Sequence, residues 1–202
     1  MLNMVLASSS ARRKELLSMI GLQPQIIPPD INEEMHEAEA HEKFLERVAI
    51  SKAMNVYRRT FHHSLVIGAD TIVRLEGEII GKPKDRPAAA KMLQKLSDRC
   101  HEVWTGLALL YQGQTRFDIS RTRVFFKKLS AEEIDFYLDH EEYLDKAGAY
   151  AVQGKASVFV TRVEGCYFNV MGFPLNLFYH MLETLDIRLY EPSAHTSAAK
   201  PQ

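Results

Sequence analysis

Cysteine is scarce in this chain. Only Cys100 and Cys166 occur among 202 residues. Their separation fits no metal or redox motif, and two thiols cannot frame a disulfide-built domain. Reduced thiols in a reducing compartment are the expectation. Excess charge of one sign is also missing: the formal net charge is -1. Binders of duplex nucleic acid carry a basic excess, so that class is set aside. No apolar run approaches the ~20 residues of a membrane span. The apolar stretch from Met4 to Ala7 is too short for a signal peptide, and no basic residue precedes it. A cytoplasmic protein with no membrane partner is expected. Neither G-x-x-x-x-G-K-[ST] nor G-x-G-x-x-G is present, which argues against an ordinary ATPase or kinase. The eight histidines show no ligand spacing, and His62-His63 reads as a solvated loop pair.

What is present is a globular balance, 46% hydrophobic and 25% charged. Residues 3–7 read as a short strand, a serine turn follows, and residues 11–20 form a helix closed by Gly21. A second strand, 25–27, stops at Pro28-Pro29, and a polar acidic loop fills 30–42. Residues 43–57 predict a helix with Phe44, Leu45, Val48, Ala49, Ala53 and Val56 on its apolar face. A buried strand over 65–69 leads to a hairpin over 72–80 that turns at Glu76-Gly77. A helix over 87–96 follows, then strands over 103–111 and 120–129 around a turn at Gly113. Ser130 and Glu133 form a capping box for another helix. Residues 150–152 and 158–163 look strand-like, and Pro174 opens a last helix to about Leu185. The tail from Glu191 to Gln202 has nothing apolar to bury and is expected to be disordered. Residues 1–190 thus form one α/β domain, with a long mixed sheet and helices on both faces.

Four constellations carry chemistry, each with two readings. Ser8-Ser9-Ser10 precedes Arg12, Arg13 and Lys14 in the first turn of a helix. Cations are unfavourable at that end, so an anion held by free N–H groups would explain them. Solvated cations beyond a serine cap fit equally. Lys52 is the only charge on the apolar stripe of residues 43–57. It either snorkels to the edge or is buried, which is costly without a partner. Asp70 closes a buried strand behind Gly68 and Ala69, where open α/β sheets place ligands. It either caps a turn, or holds a divalent metal and activates water. Gln153 ends the small-residue stretch 147–154 and either faces solvent or reads a base edge.

Several segments together resemble the Maf family of nucleoside triphosphate pyrophosphatases: LASSSARRKELL (6–17), DINEE (30–34), VAISKA (48–53), IGADTIV (67–73), IIGKPKD (79–85), LDKAGAYAVQG (144–154) and VEGCYFNVMGFPL (163–175). The resemblance implies a two-lobed α/β fold with the active site in the cleft between lobes, and a homodimer. It implies that Asp70 activates water, that Ser9, Arg13, Lys52 and Lys82 bind the triphosphate, and that Glu33 and Asp70 hold a divalent cation, Mg²⁺ or Mn²⁺. Arg12, Thr71 and Gln153 match the positions that set substrate choice in the branch acting on dTTP and UTP. The implied reaction yields a nucleoside monophosphate and pyrophosphate. The alternatives are the same hydrolysis of 7-methyl-GTP or another modified nucleotide, and a nucleotide-binding regulator of septum formation. One departure is visible. Where the family commonly has Leu-Ser-Gly, this chain has Leu96-Ser97-Asp98, so the resemblance does not carry over the conformation of that loop.

Overall fold

The computed structural model describes residues 2–60 and 63–189. The tail expected to be disordered and His62 lie outside these residues. The chain opens with β1 (Met4–Ala7), α1 (Ala11–Met19) and β2 (Gln25–Ile26). It continues through α2 (His41–Tyr57), β3 (Leu65–Leu75), β4 (Glu78–Ile80) and α3 (Arg86–Leu96) to β5 (Cys100–Tyr111) and β6 (Gln114–Phe126). After α4 (Ala131–His140), 3-10 turns at Ala147–Ala149 and Gly154–Phe159 lead to β7 (Val160–Glu164), α5 (Tyr167–Val170) and α6 (Leu175–Glu183). Seven strands form one mixed sheet in the order β2-β1-β3-β5-β6-β7, with β4 added to β3.

Side-chain alternation along the strands divides the core. Val66 of β3 and Ala108 and Leu110 of β5 pack against Ala49, Ala53 and Val56 of α2. Ile67 and Ala69 of β3 and Leu107 and Leu109 of β5 face the other way. There they meet apolar side chains of α1, α3, α4 and α6. Helices therefore cover both faces, as an amphipathic mixed sheet requires.

α2 sits unusually close to the sheet. A Cβ on Gly68 would stand 2.3 Å from the Ala49 carbonyl oxygen and 2.8 Å from the Ala53 nitrogen. Only glycine admits that approach. Lys52 lies between these two contacts in the helix sequence and is buried with the apolar face.

Local signals behave as their chemistry dictates. α1 ends with Gly21 at φ +80°, and Leu22 N–H reaches the Leu17 carbonyl at 3.0 Å, a Schellman closure. The β3–β4 turn places Glu76 and Gly77 at positive φ, 52° and 88°, as a tight hairpin needs. Ser130 and Glu133 form the capping box reciprocally.

Three expectations need correction. β3 runs unbroken to Leu75, because β5 pairs with it from Val66 to Arg74. β6 begins at Gln114 and ends at Phe126, since its ladder with β5 extends to the Gly113 turn. Residues 150–152 belong to no strand, although Tyr150 is extended. Gly148 and Ala149, at φ 73° and 62°, turn the chain just before them, and side chains rather than a ladder hold the segment.

Candidate active site

The sheet has a gap. β1 pairs with β3 only from Leu65 to Gly68, and β4 only from Val73 to Leu75. β5 occupies the opposite edge of β3 throughout this stretch. Residues 69–72 are therefore left without a strand partner on the β1 side. Asp70 shares the α2 side with Gly68, whereas Thr71 projects to the other side. Both line one cavity of about 650 Å³.

All nine residues singled out from the sequence line this cavity: Ser9, Arg12, Arg13, Glu33, Lys52, Asp70, Thr71, Lys82 and Gln153. They come from six separate parts of the chain. Ser9, Lys82 and Gln153 are exposed at its surface, whereas Lys52 is buried.

Lys52 does not snorkel. Its Nζ donates to Asp70 Oδ1 at 2.7 Å and to Glu33 Oε2 at 2.7 Å. The close packing of α2 at Gly68 brings the ammonium down to β3, two residues from that contact. Two carboxylates around one ammonium satisfy a charge that burial would otherwise penalise by several kcal/mol. Asp70 is mostly buried and Glu33 half exposed, so the pair presents its carboxylates toward the open side.

Arg13 is the other anchor. Ser10 caps α1, accepting the Arg13 N–H at 3.4 Å, and Ser8 Oγ accepts the Ser10 N–H at 3.2 Å. The Arg13 guanidinium spreads across three partners: Ser8 Oγ at 3.1 Å, Thr71 Oγ1 at 3.1 Å and the Gly172 carbonyl at 2.9 Å. Thr71 Oγ1 is 2.9 Å from Thr105 Oγ1, which donates to the Asn169 carbonyl at 3.4 Å. A single arginine thus ties α1, β3 and the 169–172 segment together. Burial pushes its pKa down, while the Asp70 and Glu33 carboxylates oppose that shift. An arginine remains charged regardless.

The far wall is the segment 142–153. Gly148 N–H donates to the Gly81 carbonyl at 3.0 Å, which sets this segment beside Lys82. Tyr150 is bolted from behind. Its hydroxyl is 2.7 Å from His101 Nε2, and its ring packs edge-on against His101 and Phe126. Burial lowers the His101 pKa to about 4 and pushes the Tyr150 phenol upward. Tyr137, raised to about 12 chiefly by burial, hydrogen-bonds the main chain of Ala151.

Ser8, from the serine turn, lines the cavity too, and so do Glu142, Asp145 and Lys146, which no sequence signal singles out. Asp145 and Lys146 stand inside LDKAGAYAVQG, but the segment has no regular periodicity to show which way they face.

No group of three or more His, Cys, Asp or Glu side chains able to hold a metal occurs among the described residues. Asp70 and Glu33 do form a pair of hard oxygen donors. Such a pair suits Mg²⁺ or Mn²⁺ when substrate oxygens and waters complete the shell.

Comparison with known proteins agrees with this architecture. The chain is 43% identical over 179 residues to a dTTP/UTP pyrophosphatase of Syntrophomonas wolfei subsp. wolfei, covering 88% of this chain and 94% of that protein. It is 47% identical over 177 residues to a dTTP/UTP pyrophosphatase of Geobacillus sp. (strain WCH70), covering 87% and 94%. The solved structure of the Staphylococcus aureus Ham1 protein shares the fold, with a TM-score of 0.50, 19% identity, and coverage of 91% of this chain and 99% of that one. The family profile described as Maf-like protein matches residues 3–185, and the chain belongs to that family.

Proposed function

We propose that this protein hydrolyses nucleoside triphosphates to the monophosphate and pyrophosphate, with dTTP and UTP as its preferred substrates. The observation that carries the reading is the Glu33–Lys52–Asp70 cluster, set in one cavity with Arg12, Arg13 and Lys82. The names borne by relatives at 43% and 47% identity point to the same reaction.

Asp70 is the group that takes the proton from the attacking water. Lys52 holds its carboxylate in place and fixes which oxygen stays free. Arg13, Lys52, Lys82 and Ser9 bind phosphate oxygens, and the backbone N–H groups at the start of α1 add to that anion site. Glu33 and Asp70 would hold a divalent cation, Mg²⁺ or Mn²⁺, which when bound would supply neutralisation of phosphate charge. Arg12, Thr71 and Gln153 read the nucleoside. Thr71 is fixed for this by Arg13 and Thr105, while Gln153 offers both a donor and an acceptor. The enzyme works as a cytoplasmic homodimer. Among the described residues no helix is long and apolar enough to cross a membrane.

The deciding experiment is pyrophosphate release with Mg²⁺ from dTTP, UTP, CTP, ATP, GTP and 7-methyl-GTP, with Asp70→Asn beside the wild type. Rapid release from dTTP and UTP, lost in the variant while UTP binding persists, is expected. Faster release from 7-methyl-GTP or a purine would overturn the base assignment. No release from any of them would sink the enzymatic reading.

A further inference from the structure

Lys146 stands in the cavity in an unbalanced state. Its side chain is only 11% exposed, yet among the described residues its ammonium pairs with a single group, Asp145 Oδ1 at 2.6 Å. An ammonium has three protons to place, and a shielded one is costly while they lack partners. Lys52, similarly shielded, has two carboxylates. Lys146 has one, and that one is 66% exposed.

Position adds to this. The Gly148–Gly81 hydrogen bond joins the Lys146 segment to the residue before Lys82. Lys82 and Lys146 therefore occupy the same stretch of wall, and both line the cavity. Asp145 serves a second cation as well. Burial acts to raise its pKa, but the Lys146 hydrogen bond and the charges of Lys146 and Arg12 bring it below the usual carboxylate range. Two cations thus act on one acid, with Lys82 lining the same cavity. Being largely exposed, Asp145 can return to water at little cost, whereas Lys146 can replace it only with another anion inside the cavity.

We propose that Lys146 is a substrate-binding residue that exchanges Asp145 for a phosphate oxygen of the incoming triphosphate. This rests on the reading of the cavity as a triphosphate site. Asp145 then acts as an internal placeholder for the phosphate, keeping Lys146 paired in the empty enzyme.

The test compares wild type, Lys146→Gln and Asp145→Asn, with Lys84→Gln as a control on an exposed lysine outside the cavity lining. Two quantities are measured: calorimetric binding of inorganic pyrophosphate, which requires no turnover, and the KM and kcat for UTP with Mg²⁺. Lys146→Gln is expected to weaken pyrophosphate binding and raise KM about 10- to 100-fold, the range for a charged hydrogen bond, with kcat within about threefold. Asp145→Asn, which removes the competing anion, is expected to tighten pyrophosphate binding and lower KM, and Lys84→Gln to change neither. Lys146→Met, which keeps the stem's volume, replaces the Gln variant if melting curves show that it does not fold. Equal weakening in the Lys146 and Asp145 variants would overturn the proposal, because the ion pair would then merely brace the wall. Unchanged pyrophosphate affinity in an active Lys146→Gln enzyme would overturn the Lys146 assignment alone. A wild type that turns over no triphosphate would instead defeat the function proposed above.

Discussion

The Lys52 ammonium lies 2.7 Å from the Asp70 carboxylate, and nearly all of that contact is closed to solvent. Replacing Lys52 with Met leaves Asp70 and Glu33 facing each other without a counter-charge. Breaking a shielded pair from one side costs about 3 kcal/mol or more. A fall in kcat/KM for UTP of at least about 100-fold is expected from steady-state assays. A loss under tenfold would show that the pair is not part of the machinery.

Gly68 decides whether that pair can form. Gly68→Ala places a methyl against the α2 backbone at a distance no real contact shows. The helix must move off the sheet, taking Lys52 with it. Overpacking of this kind costs about 1–3 kcal/mol. We expect a melting temperature several degrees lower together with loss of pyrophosphate release. An active, equally stable variant would disprove the close-approach argument.

His101 makes stability depend on pH. It is buried, and its pKa falls to about 4 from 6.5. Between those values the unfolded chain binds a proton that the folded chain refuses. Stability from this residue is thus fully present above about pH 6.5 and lost as pH falls toward 4, by about 3 kcal/mol in total. Denaturant unfolding across this window should show the slope. It should flatten in His101→Gln, which can still hydrogen-bond Tyr150.

Asp98 tests the loop where the chain departs from its family. It adopts φ 59°, the left-handed region that favours glycine. The family's usual residue and this backbone agree, and aspartate carries the strain. Asp98→Gly should raise stability by up to about 1 kcal/mol, read as a melting shift of about 2–4 °C. A lower melting temperature would count against strain at this position.

Regular periodicity made most of the fold legible. The α2 stripe named the residues that the structure buries, and turn residues at Gly21, Glu76-Gly77 and Ser130 marked boundaries where they fall. Lys52 could be placed on the buried face by spacing. Its partners could not, because Glu33 and Asp70 reach it through tertiary packing. The wall at 142–153 was the least readable part. Tyr150-Ala151-Val152 has the composition of a strand, but its order comes from His101, Phe126 and Tyr137, far away in sequence. For the same reason nothing local showed that Lys146 faces the cavity while nearby Leu144 is exposed.

The gap beside residues 69–72 makes the cavity a notch cut into a continuous sheet. β3 and β5 stay paired across nine consecutive positions straight through it, from Val66 to Arg74. The floor that carries Asp70 and Thr71 therefore cannot fold around a substrate. Accommodation of nucleotides of different size is left to the irregular segments that border the floor: the 28–33 loop that carries Glu33, and the wall where Asp145 and Lys146 precede one short 3-10 turn and Gln153 lies between that turn and the next. The floor keeps the reacting groups in register, and the irregular segments around it adjust to the substrate.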